Sequence, residues 1–137
     1  MTLALGADDI CSMHRSRLAG FIIDCQTEDL EAATRFWSAA LGLPAASEAD
    51  SDPGYRLLRN APGDLHVEVQ TVEHPSRVHL DIESDDLEAE ALRLEALGAR
   101  RVANVKRWIV MEAPTGQRFC IVRPQSGDFA AAANQWK

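Results

Sequence analysis

The chain has 137 residues, 46% of them hydrophobic and 26% charged, which is the usual balance of one folded domain. Its 21 acidic and 14 basic residues give a formal net charge of -7. This balance argues against nucleic acid or an anionic membrane as partner, because either needs a basic face. No apolar run approaches the roughly 20 residues of a membrane span. Three cysteines without a CxxC pair, and no signal-peptide pattern in the first dozen residues, predict a cytoplasmic protein.

An internal repeat organises the chain after residue 17. The sequence Asp29-Leu30-Glu31-Ala32 recurs 57 residues later as Asp86-Leu87-Glu88-Ala89, and Leu41-Gly42 recurs as Leu97-Gly98. A recurring strand, helix and glycine stop indicate a duplicated unit. We therefore expect a flexible tail over residues 1–17 and one domain over 18–137. This domain consists of two modules, about 18–73 and 74–125, and a C-terminal tail.

Each module has the same predicted order of strand, helix and three strands. The first begins with a β-rich strand over 18–26, followed by a helix with an apolar stripe that ends at Gly42. The strands predicted after this helix cover residues 45–48, 55–60 and 65–71. In the second module a strand over 77–83 precedes a helix that ends at Gly98, and the strands that follow cover 100–105, 108–112 and 118–123.

The predicted fold is α+β: two βαβββ repeats form an eight-stranded, cup-shaped mixed sheet with the helices outside. A unit of four strands and one helix covers only one face of its sheet. Two units joined edge to edge therefore leave a concave inner face, which is the natural place for a ligand.

At this point the chain resembles the vicinal-oxygen-chelate superfamily, and within it the small glyoxalase-like proteins. The resemblance rests on the doubled βαβββ unit and on the phrases RVHLDI (77–82) and APTGQRFC (113–120), and it covers about residues 18–136. The superfamily includes glyoxalase I, extradiol dioxygenases, and bleomycin- and fosfomycin-resistance proteins. The resemblance implies a homodimer, but it does not identify one chemistry, because this fold supports many.

Alternation along the strands predicts which side chains face the cup. In the run 65–70 the apolar Val67 and Val69 should pack under a helix, which leaves His66, Glu68 and Gln70 on the opposite face. By the same reasoning Val78, Leu80 and Ile82 should be covered by a helix. The remaining residues predicted to face the cup are Arg77, His79, Asp81, Glu83, Arg118 and Cys120, together with Asp24 from the symmetry of the repeat. Trp108 opens a strand, where it could stack on a planar ligand or cap the sheet.

The metal enzymes of this superfamily draw ligands from the first and last strands of each module. Carried onto this chain, those places are Ile22, His66 or Glu68, His79 and Cys120. Ile22 cannot bind a metal, and a thiol is a soft ligand that favours zinc, so a standard glyoxalase I site is not expected. A tetrahedral zinc site from His66, Glu68, His79 and Cys120 is the minority interpretation, and no cofactor is assigned.

Several of these residues have two interpretations. His79 and Asp81 could be a base and its orienting partner, or a strand pair that satisfies itself or Arg77. Glu68 could be a general base, but a partner role toward Arg77 or Arg118 is favoured. Cys120 could be a nucleophile, although a small packed side chain is the simpler interpretation.

The sequence thus favours a small-molecule-binding protein that holds its ligand in the polar cup. The residues expected to bind it are Asp24, His66, Gln70, Arg77, Asp81, Trp108, Arg118 and Cys120. The alternative is a lyase, isomerase or dioxygenase-type enzyme that acts on a small oxygenated metabolite. It would use His79 with Glu68 or His66, with or without a divalent metal. A purely structural module is disfavoured, because an interior without a ligand would be cheaper if it were apolar.

Overall fold

The computed structural model describes residues 13–105 and 107–137. Its strands are β1 His14–Gln26, β2 Tyr55–Leu58, β3 His66–Val72, β4 Arg77–Ser84, β5 Arg100–Val105, β6 Trp108–Glu112, β7 Arg118–Val122 and β8 Asn134–Trp136. Its helices are α1 Leu30–Leu41, α2 Leu87–Ala96 and α3 Phe129–Ala132. The chain divides into two compact units. Unit 2 is Gly20–Leu80, and the described residues of unit 1 are 13–19 together with the stretch from Asp81 to Lys137.

The repeated Asp-Leu-Glu-Ala sequence marks the beginning of both long helices. The Asp29 carboxylate accepts the Ala32 N–H at 3.0 Å, and the Asp86 carboxylate accepts the Ala89 N–H at 3.0 Å. These bonds satisfy backbone donors that the first turn of a helix leaves unpaired. Gly42 then ends α1 with φ 70°, a left-handed conformation that glycine adopts without steric cost.

In unit 2, β3 lies between β2 and β1, antiparallel to β2 and parallel to β1. One face of these strands packs beneath α1 in a cluster built on Ile23, Leu58, Val67 and Val69. Leu30, Ala33 and Trp37 of α1 pack against that cluster. This arrangement confirms the predicted alternation in β3.

In unit 1, β7, β6 and β5 form an antiparallel series with an irregularity between Arg101 and Ala103. Ala91 and Leu94 of α2 pack in a second cluster, together with residues of β6 and β7 (Ile109, Met111 and Ile121). The short strand β8 pairs with the beginning of β1, where His14 lies opposite Trp136.

The strand order is β2-β3-β1-β4-β7-β6-β5, with β8 also on β1, so the eight strands form one mixed sheet. The predicted α+β class and eight-stranded mixed sheet are therefore confirmed. Among the described residues no helix is long and apolar enough to cross a membrane.

Three details of the prediction are wrong. Residues 45–48 form only an isolated bridge from Ala45 to Leu58, because Ser47 caps a 3-10 turn over Glu48–Asp50 instead. The eighth strand is β8, which the sequence analysis assigned to a tail. Residues 1–12 of the predicted N-terminal tail, including Cys11, lie outside the described residues. The tail's last four residues belong to β1, which begins at His14 rather than at residue 18.

The predicted helix cover of β4 is also incomplete. Ile82 packs against the cluster of unit 1 as expected, but Val78 is 59% exposed and Leu80 is 49% exposed. Alternation shows that these side chains share a face, but it does not show that a helix reaches them.

Candidate functional site

One face of unit 2 carries polar side chains from neighbouring strands. In the register of the sheet, Asp24 of β1 lies opposite Gln70 of β3, and Gln70 lies opposite Tyr55 of β2. Because Val67 and Val69 are buried beneath α1, the even-numbered side chains of β3 point to the other side. We call this side the unit 2 polar face; its members are Asp24, Tyr55, His66, Glu68, Gln70 and His79.

The shortest contact in this set joins His79 to Asp24. The His79 Nδ1–H donates to Asp24 Oδ2 at 2.8 Å. A carboxylate only accepts, so Nδ1 of His79 carries the proton of this bond. The Asp24 side chain is 1% exposed and that of His79 is 14% exposed. The geometry is that of a base held by a buried acid.

The two carboxylate oxygens of Asp24 have different surroundings, because the basic side chains near Asp24 approach Oδ2. Besides His79, Oδ2 has Arg77 Nε at 3.6 Å and His74 Nε2 at 3.9 Å. Its second oxygen, Oδ1, is buried and has no hydrogen-bond partner. Asp24 is thus almost completely buried and holds His79, and its predicted role in ligand binding stays a prediction.

Two further polar pairs lie on the same face. Gln70 Nε2 donates to the Tyr55 hydroxyl oxygen at 2.8 Å. His66 Nε2 lies 3.2 Å from Glu68 Oε1, and both side chains are largely buried. The favoured partners of Glu68, Arg77 or Arg118, are therefore wrong in this structure. His74 was not among the predicted site residues.

The other predicted site residues lie in unit 1. Arg118 Nε lies 3.3 Å from Glu112 Oε2, so its partner is a neighbour across β6 and β7. A carboxylate oxygen of Asp81 and the Sγ of Cys120, the atoms that could coordinate a metal, lie within 4.8 Å of each other. Trp108 begins β6 and is half-buried opposite Val122. Their predicted roles in ligand binding stay predictions.

Unit 1 also holds Glu90, a buried carboxylate that the sequence analysis did not identify. It accepts hydrogen bonds from His14 Nε2, Ser16 Oγ and Arg93. Burial by itself raises the pKa of this carboxyl, but the bonds from Arg93, His14 and Ser16 outweigh it and leave the pKa below its ordinary value. Glu90 therefore stays charged inside the protein.

Glu83, predicted to face the cup, is a second buried carboxylate. It accepts from Arg17 Nε at 2.8 Å, from Ser126 Oγ at 2.7 Å, and from the backbone N–H groups of Gln125 and Ser126. Burial by itself raises the pKa of Glu83, but the hydrogen bonds lower it by more than burial raises it, so the pKa lies below its ordinary value. Glu83 thus anchors the segment after β7 rather than a ligand.

The residues of unit 2 do not fit the octahedral metal site that the resemblance implies. The first-strand position is Ile22, whose side chain is buried, offers no lone pair and lies opposite Glu68 in the register. Glu68 is paired with His66. The bond from His79 to Asp24 is compatible with metal binding, since metal-ligating histidines commonly donate their other ring N–H to a carboxylate, so the misfit rests on Ile22 and Glu68. No step below therefore depends on a metal, and the zinc set of His66, Glu68, His79 and Cys120 stays a prediction.

With fold and geometry established, comparison with known proteins defines the class. Residues 20–122 match the family described as the glyoxalase-like domain. The chain therefore belongs to the glyoxalase-like domain family, within the vicinal-oxygen-chelate superfamily. No curated protein matches the sequence.

Solved structures support the same fold. Hypothetical protein BH1468 from Bacillus halodurans C-125 aligns with a TM-score of 0.57 at 11% identity, covering 81% of this chain and 96% of that one. Methylmalonyl-CoA epimerase from Mycobacterium tuberculosis aligns with a TM-score of 0.55 at 20% identity, covering 83% of this chain and 91% of that one. An extradiol ring-cleaving dioxygenase from B. fuscum aligns with a TM-score of 0.52 at 14% identity, covering 80% of this chain but 33% of that one. At these identities the likeness concerns the fold alone.

Proposed function

We propose that this protein binds a small oxygenated molecule on the unit 2 polar face. The observation that carries the proposal is the set of three polar pairs on that face: His79 with Asp24, Tyr55 with Gln70, and His66 with Glu68. The glyoxalase-like family is compatible with this function, as are structural neighbours named as an epimerase and a dioxygenase.

Polar side chains at partly buried positions of a sheet lower the stability of the folded protein unless they are hydrogen-bonded. Moving an amide or hydroxyl out of water is unfavourable unless hydrogen bonds replace those it had with water, and a charge costs more. The opposite face of β3, which serves only packing, is apolar at Val67 and Val69. A sheet face that keeps two histidines, two carboxylates, an amide and a phenol is typical of a binding surface.

The test is a ligand screen on the full chain. Hydroxy acids, oxo acids and diols are compared for their effect on the melting temperature, and NMR chemical shifts then locate each compound that binds. Gln70→Leu removes the amide from the face, and Gln117→Leu is the matched control at an exposed turn of unit 1.

We expect compounds that stabilise the protein to shift resonances of β1, β2 and β3, and to bind Gln70→Leu about tenfold more weakly than the control, because one polar contact is lost. Binding that is equal in both variants, or a screen in which no compound stabilises the protein, would contradict the proposal.

A second function, catalysis of proton transfer, is favoured by the 2.8 Å bond between His79 and Asp24. His79 would remove a proton from the carbon atom next to a carbonyl group of the ligand through Nε2. Asp24 would act as a positioning residue. In this proposal His79 acts with Asp24, and the roles of Glu68 and His66 in the sequence-based alternative stay predictions. Exchange of carbon-bound protons of small oxo acids in D₂O, followed by NMR, tests this function. Full exchange activity in His79→Gln would exclude it.

The homodimer and the cytoplasmic location stay predictions. Light scattering of the purified chain measures the first, and fractionation of the source cells measures the second.

A further inference from the structure

We infer that the molecule bound by the unit 2 polar face carries an anionic group, such as a carboxylate, which Arg77 receives beside His74. This inference rests on the proposed function and adds the chemical class of the ligand to it. It comes from the way charge is distributed between the interior and the rim of the face.

The acidic groups of this face are internal and already engaged. The Asp24 side chain is 1% exposed and accepts from His79, and Glu68 is 15% exposed and lies 3.2 Å from His66. A ligand arriving from solvent therefore does not meet an open carboxylate at these two positions.

The basic groups beside Asp24 are on the rim. The Arg77 side chain is 44% exposed and that of His74 is 38% exposed. Arg77 Nε lies 3.6 Å from Asp24 Oδ2, which is longer than a hydrogen bond, whereas His79 bonds to the same oxygen at 2.8 Å. Within the described residues the Arg77 guanidinium forms an ion pair with Asp24 but makes no hydrogen bond, so its half-exposed planar group can still donate to a ligand.

His74 supports the same polarity. Its Nδ1 lies 2.9 Å from the Pro75 carbonyl oxygen, and its Nε2 lies 3.9 Å from Asp24 Oδ2. The first contact is within hydrogen-bond distance, and the second is longer, so Nε2 lies beside Asp24 without bonding to it. The chain as a whole has a formal net charge of -7, which repels anions at long range. An anionic ligand would therefore be held by local contacts with Arg77 and not by the overall charge.

The experiment compares carboxylates with their uncharged amides on the full chain. The probes are lactate and lactamide, glycolate and glycolamide, and malonate and malonamide, titrated by NMR at constant ionic strength. The variants are Arg77→Gln, Arg77→Lys and the control Arg59→Gln. The control removes the same charge from a side chain of unit 2 that is 49% exposed.

We expect the carboxylates to bind more tightly than the amides. Arg77→Gln should weaken carboxylate binding about tenfold or more and leave amide binding unchanged. Arg77→Lys should restore part of the affinity, because it keeps the charge but loses the forked geometry, and Arg59→Gln should have no effect.

Amides that bind the face as well as the carboxylates would overturn this inference and leave the proposed function standing. The same holds for Arg77→Gln and Arg59→Gln with equal carboxylate affinities. If no carboxylate or amide shifts any resonance of β1, β2 or β3, this inference fails. A diol that still binds there would keep the proposed function, whereas no binding by any class of compound would end both.

Discussion

Gly20 is the position where one added methyl group is expected to have the largest effect. A Cβ built there would lie 1.8 Å from the carbonyl oxygen of His66 and 2.6 Å from two other backbone atoms of that residue. Real Cβ atoms essentially never come closer than 3.0 Å, so β1 and β3 would have to separate by at least ~1.2 Å. The obstacle is backbone, which cannot rotate away as a side chain can.

The cost of Gly20→Ala follows from what this separation disturbs. Gly20 pairs with His66 at the beginning of the parallel register that continues to Gln26 and Val72. Overpacking a close contact costs about 1–3 kcal/mol, and each weakened backbone hydrogen bond adds about 1 kcal/mol. We expect a loss of about 3–5 kcal/mol in the free energy of unfolding, a large part of the total for a domain of this size.

Urea unfolding followed by circular dichroism measures this loss. Gly127→Ala is the matched control, because a Cβ there has no atom within 4 Å, and it should change stability by less than about 0.5 kcal/mol. If Gly20→Ala unfolds at the same urea concentration as the control, and the His66 resonances do not move, β1 and β3 do not approach as closely as described.

Three further predictions concern buried charge and metal. Glu90→Gln should lower the unfolding free energy by about 3 kcal/mol, since it removes the buried negative charge that accepts both hydrogen bonds of Arg93. Glu95→Gln, at a more exposed pair, should cost less than about 1 kcal/mol, and equal losses in urea unfolding would refute this reasoning. Because the folded pKa values of Glu83 and Glu90 lie below their ordinary value, their contribution to stability is complete above about pH 4.5 and is lost as the pH falls through the folded values. Urea midpoints that do not change between pH 7 and pH 3 would contradict this sign. Added Mn²⁺ or Ni²⁺ should not raise the melting temperature, because Ile22 provides no ligand; elemental analysis that finds a stoichiometric metal would show the fit argument to be wrong.

Most of the fold could be predicted because its signals are local. Capping aspartates, glycine stops and alternation lie within a few residues of one another, and they located both long helices and seven of the eight strands. The strand β8 carries no such pattern, since Asn134–Trp136 becomes a strand only by pairing with an extended β1. A contact of that kind depends on residues more than a hundred positions away.

The candidate site was predictable by face but not by partner. Alternation correctly placed His66, Glu68 and Gln70 opposite the core. It could not show that His79 bonds to Asp24, because that contact depends on which residues of β1 and β4 meet. The same limit explains Glu68, whose partner is its strand neighbour His66 rather than an arginine.

The division of the chain has a consequence for the order in which the protein can be made. Unit 2 is one continuous stretch from Gly20 to Leu80, so the ribosome has supplied all of it before α2 is translated. Unit 1 needs two stretches that are far apart in the sequence, because β8 pairs with the beginning of β1 and Trp136 donates to Ser16. During synthesis, the first residues of β1 therefore have no β8 to pair with until more than a hundred further residues have been translated.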